Sequence, residues 1–182
     1  MEPKFLRNDS KVSSGILHNN LPPNISILRT NAQKDNSLIF YFSYGSYFGG
    51  ECEILIINNG NEKCSVYASG HNGWKLYWNF IIPISEIKPL EKIVQPARKW
   101  LREYKVQEDI LDGYGWELVF IGTDYTIKTS GYMANPRDYF KITNKIIKQL
   151  YKLKKAYSDD DIDSKLLPVE GYQTSWYNAG TK

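Results

Sequence analysis

Histidine, cysteine and methionine each occur only twice in 182 residues. Two histidines, His18 and His71, leave few bases for proton transfer and few imidazoles for a metal. Two cysteines, Cys52 and Cys64, are too few for a disulfide framework or a four-thiolate zinc site. No apolar run approaches the ~18 residues of a membrane-spanning helix. The opening MEPKFLRNDSKVSS lacks the apolar segment of a secretory leader, so the expected compartment is the cytoplasm. A strong charge of one sign is missing as well: the formal net charge is +3, too small alone to imply a nucleic-acid or membrane partner.

What is present is aromatic and strand-like. Fourteen tyrosines and five tryptophans suit half-buried sheets and binding faces, because each ring carries a polar edge. Runs rich in β-branched and aromatic residues cover 25–30, 37–44, 51–58, 63–69 and 74–82. Each is closed by Gly, Asn, Asp or Pro. The separators YGSYFGG, NNGNE and GHNG have hairpin length, so an antiparallel meander is expected. Apolar residues at Ile87, Leu90, Ile93, Val94, Ala97, Trp100 and Leu101 make a helical stripe. Ser85 is placed to cap it, Pro89 falls in its first turn, and Pro96 should kink the helix or end it near Val94. Segments 116–122 and 125–131 read as a later hairpin. Asn135-Pro136 then signals a helix start, with Tyr139, Ile142, Ile146, Leu150 and Leu153 as its seam.

The expected architecture is α+β: an antiparallel sheet of five to seven strands, a meander plus a later hairpin, with two helices on one face. Residues 1–24 read as a loose arm, 25–157 as a single domain, and 158–182 as an acidic linker and tail. If Asn58 pairs with Asn61, Cys64 lies opposite Leu55. The two thiols then point to opposite sheet faces and stay free.

The stretch SYGSYFGGE, 43–51, tests whether a phosphate is held here. A phosphate-cradling loop needs a helix to begin after its glycines, and the P-loop form needs Lys-Ser/Thr next. Glu51-Cys52 and a strand-like run follow instead, so Gly45, Gly49 and Gly50 are expected to turn a hairpin. Tyr47 and Phe48 at its tip either plug the fold or meet a partner. His71 and Trp74 lie in the GHNGW turn. A catalytic role for His71 needs an orienting group that the neighbouring sequence does not supply. The carboxylates Glu108, Asp109 and Asp112, and Asp159 to Asp163, read as turn and linker residues. No catalytic residue, metal site or cofactor is assigned.

Lys141, Lys145, Lys148 and Lys152 recur at 4-3-4 spacing in the last helix, continued by Lys155, begun by Arg137 and broadened by Lys154. They form a basic line displaced from the apolar seam. Such a line is either a solvated outer face or a track for an acidic protein or for phosphates. The acidic segment after the helix is a candidate to mask it.

The phrases YGSYFGG, GHNGW, ILDGYGWELVF and SGYMANPRDYF, in this order, resemble a loose group of small bacterial proteins without an assigned activity. The likeness spans about residues 38–153. It departs at Trp100-Leu101-Arg102, where the group tends to have Trp-Asn-Gly. The resemblance implies a shared fold and carries no site residues. The functional expectation is a non-catalytic interaction protein that binds another protein, with a toxin-neutralising immunity protein as one concrete form. The alternatives are nucleic-acid binding through the lysine line, or a small hydrolase centred on His71.

Overall fold

A computed structural model describes residues 24–46, 50–71, 75–106 and 113–158. The proposed arm and tail lie outside these residues, apart from their innermost residues Asn24 and Ser158. The elements run α1 (Ile25–Lys34), β1 (Leu38–Ser46), β2 (Gly50–Gly60), β3 (Lys63–His71), β4 (Lys75–Pro83), α2 (Ile87–Val94), β5 (Glu103–Lys105), β6 (Tyr114–Ile121), β7 (Thr126–Tyr132) and α3 (Tyr139–Tyr157). The fold is α+β. One seven-stranded sheet has the order β4-β3-β2-β1-β6-β7-β5, antiparallel throughout except where β5 joins β7 in parallel.

Strand alternation divides the buried residues between two faces. Phe40, Phe42, Ile54, Ile56, Val66, Phe80, Ile82, Leu118 and Phe120 point to one side. There they meet Leu90 and Val94 of α2 and the predicted seam of α3, every residue of which is buried. Full burial of each such side chain contributes about 1.5–3 kcal/mol, so this layer fixes the register. The opposite face carries a smaller cluster of Tyr41, Leu55 and Val119 under Ile25 and Ala32 of α1.

That third helix corrects the expectation of a strand at 25–30. Asn24 caps α1, its side-chain oxygen accepting from the amides of Ser26 and Ile27 at 3.0 and 3.3 Å. Asn36, at φ 54°, closes it: its own amide and that of Ser37 donate back to Gln33 and Ala32. Both ends are set by asparagine, and Ile25, Leu28 and Ala32 have helical spacing.

A strand, not a helix, follows Gly50, and Ser46 pairs with Gly50 across the β1–β2 hairpin. The β2–β3 turn differs from expectation. Gly60 pairs with Lys63 and Asn58 with Cys64. Asn61 and Glu62 both take positive φ, 51° and 58°, as a two-residue type I′ turn requires. Cys52 and Cys64 therefore share a face, the helix-covered one. They stay unpaired because Cys52 lies opposite Gly70, six residues along β3 from Cys64 and so ~20 Å away.

Pro96 acts as expected: α2 stops at Val94 and a 3-10 helix, Gln95–Lys99, continues the chain. Ser85 caps nothing and lies inside a 3-10 turn, Ile84–Glu86. β5 was not foreseen. Its three residues are too few to show alternation, and it is held by β7, with Ser130 N–H donating to Arg102 O at 3.1 Å. The last helix begins at Tyr139 rather than at Pro136, with Asp138 in the cap position and no side-chain cap bond. Its candidate caps are engaged elsewhere. Asn135 donates to the Tyr114 hydroxyl at 2.6 Å, and Asp138 accepts from Trp100.

Candidate functional site

α3 presents its seam to the sheet and its lysines outward: Lys141, Lys145, Lys148, Lys152 and Lys155 are all exposed. Lys154 is a correction. It follows Leu153 onto the inward side and is 2% exposed. Its ammonium lies 4.4 Å from the Trp78 ring centroid, so it belongs to the packing and not to the basic line.

The basic character extends beyond α3. Residues 84–102 and 137–158, which make the helical layer, hold twelve Lys or Arg against three Asp or Glu. All three acids are turned to internal contacts. Asp138 accepts the Trp100 indole N–H at 2.7 Å. Glu86 accepts the Tyr157 hydroxyl at 3.0 Å. Glu91 is half-buried, with its carboxylate beside Gly122. The outward surface is thus more basic than the net charge of +3 suggests.

At the corner between the 3-10 helix, α3 and β7 are two open hollows, of about 730 and 440 Å³. They share Arg98 and Trp100. Arg98 lies with its guanidinium 4.3 Å from the Tyr125 ring centroid. Lys99 lines the first hollow, while Arg102 and Lys128 line the second. The floor is tied down by packing and a hydrogen bond: Trp100 packs against Trp116 and Tyr139, and Thr129 donates to Leu101 O at 2.7 Å. Sequence reasoning missed this cluster because Lys128 joins Arg98 and Arg102 only through the parallel β5–β7 pairing. The run Arg98-Lys99-Trp100-Leu101-Arg102 was its one visible sign.

The open face of the sheet has the contrary character. Register places Glu103, Ser130, Glu117, Ser43, Glu53 and Ser69 in one row across six strands. Arg29 of α1 pairs with Glu117 at 2.5 Å and lies 3.8 Å from the centroid of Tyr41. Tyr41 in turn donates to Glu53 at 2.9 Å. Carboxylates and hydroxyls dominate this row, and lysines and arginines dominate the helical layer.

Of the other sequence candidates, Tyr47, Phe48 and Trp74 lie outside the described residues. His71 ends β3, opposite Glu51 and Lys75, and its side chain is likewise outside them. Both cysteine thiols are buried, and burial pushes them above the ordinary thiol range. They therefore stay protonated and poorly nucleophilic. Among the described residues no group of three His, Cys, Asp or Glu is placed to hold a metal ion. No helix among them is long and apolar enough to cross a membrane.

The described parts of two of the quoted phrases, 113–120 and 130–140, meet in one corner. Trp116 donates to Ala134 O at 2.9 Å, over Gly131. Met133 N–H donates to Tyr114 O at 3.0 Å. No protein-family model matches the chain, and none of the curated proteins does.

Proposed function

We propose that this chain is a non-catalytic interaction protein that docks an acidic protein through the outer surface of its helical layer. The observation that carries this is the eleven exposed cations of that layer, Lys154 being buried, against three acids, every one turned to an internal contact. Exposed apolar residues border the same surface: Leu101 beside the basic corner, and Ile84 with Tyr157 at the far end. A surface that mixes apolar and cationic groups suits a protein interface, with an apolar part supplying area and the charges supplying steering.

A toxin-neutralising immunity protein is one concrete form of this function. The cytoplasm is the matching compartment for that reading. The likeness to the small bacterial group belongs to the same proposal, as a likeness of fold. Nucleic-acid binding through the same lysines is the second reading, favoured by their single-file spacing on α3.

The test is charge reversal. The triple variant Lys145→Glu, Lys148→Glu, Lys152→Glu should lose a co-purifying protein that wild type retains after nuclease treatment. Reversal of Lys34 and Lys63, outside the helical layer, should leave it bound. A nuclease-sensitive complex with steep salt dependence would favour the nucleic-acid reading. Retention of the protein partner by the triple variant would remove the proposal.

A further inference from the structure

β7 has a neighbour on its outer side along only part of its length. β5 covers Ser130–Tyr132. There Ser130 N–H donates to Arg102 O, and Tyr132 O accepts from Val106 N–H. Backbone groups of a strand alternate sides residue by residue. Thr126 and Lys128 share the parity of Ser130, so their N–H and C=O groups turn to the same outer side. Among the described residues no strand pairs with that side. The 440 Å³ hollow lies directly against it, lined by Arg98, Arg102 and Lys128.

We propose, on the reading that this chain docks an acidic protein, that an extended acidic segment of that partner adds as a short strand along the open edge of β7 at 126–129. Main-chain bonds to Thr126 and Lys128 supply the pairing, and alternate side chains set the specificity. Carboxylates fall on Arg98 and Arg102, whose forked guanidinium groups donate to both carboxylate oxygens in two-point contacts. A lysine on a free edge discourages pairing with neutral strands. Lys128 thereby selects a negatively charged one.

The acidic run after α3 does not supply the segment. The chain's own acidic stretch, 159–163, begins just beyond α3. α3 starts beside Trp100 and ends beside Glu86, ~28 Å along its axis from the hollow. Asp163 reaches at most ~18 Å from Ser158.

The probe is a blocked peptide of alternating Glu and Val, titrated into the full chain and followed by backbone amide resonances. The amides of Thr126 and Lys128 should shift and exchange more slowly. Lys128→Pro, which removes the edge donor, should weaken the peptide by about tenfold. Lys128→Gln should weaken it less. A peptide N-methylated at alternate residues should bind wild type about tenfold more weakly, a result independent of how any variant folds. Equal affinity for the methylated and plain peptides would overturn the proposal. So would shifts confined to α3, or oligothymidine shifting these amides where the peptide does not. If the triple reversal abolishes docking of the whole partner while methylation changes nothing, the edge fails and the basic-layer reading stands.

Discussion

The Trp100 indole and the Asp138 carboxylate, 38 residues apart in the chain, meet in a 2.7 Å hydrogen bond that ties the 3-10 helix to the start of α3. It holds Arg98 and Lys99 at a fixed distance from the lysine line. It also accounts for the uncapped start of α3, since Asp138 has turned from its own helix to Trp100. Asp138→Ala should cost about 1.5–3 kcal/mol, the range for a bond to a charged acceptor. Asp138→Asn keeps the oxygen and should cost less than half of that. The denaturant midpoint measures both.

Gly131 stands where Trp116 crosses β7. A Cβ there would collide with the Trp116 indole and with the Ala134 carbonyl, neither of which is free to yield. Gly131→Ala should destabilise by about 2–4 kcal/mol and quench the near-UV circular dichroism of the tryptophan cluster. Gly45, where an added Cβ meets only the Glu51 side chain at 3.6 Å, should tolerate Ala within about 1 kcal/mol.

These two sites show what the sequence made legible. Turn residues and Pro96 announced the meander, the later hairpin and the break after Val94, because local chemistry sets them. The α3 seam was legible for the same reason. α1 was misread because ISILRT is β-branched, and the Asn24 and Asn36 caps outweighed propensity. β5 and the Arg98–Arg102–Lys128 cluster depend on a parallel pairing between distant segments, which leaves no local pattern. Lys154 looked like its neighbours in the line, and only the Trp78 contact separates it from them.

Tyr139 is fully buried and its hydroxyl has no hydrogen-bond partner among the described residues. Burial holds its ionisation well above the ordinary phenol range, with Tyr44 and Tyr41 raised mainly by the same cause. Tyr139→Phe should therefore be neutral or stabilising by about 1 kcal/mol. Above pH ~10 the unfolded chain loses phenolic protons that the folded chain keeps. Stability present below that pH should then fall as pH rises. The decline should be shallower in Tyr139→Phe, as thermal melts across the alkaline range would record.

Arg29 holds α1 to the sheet through Glu117 and Tyr41. Arg29→Ala should cost about 1–2 kcal/mol, the pair being only partly screened from water. Hydrogen exchange should speed up in α1 while the amides of β1 and β2 keep their protection.

The partner's footprint on the purified complex tests the central claim most directly, read as hydrogen-exchange protection of this chain with and without the partner bound. The account predicts protection gathered on α3, on the 3-10 helix and along the outer edge of β7. Protection gathered on α1 and the row from Glu103 to Ser69, with the helical layer unchanged, would contradict it.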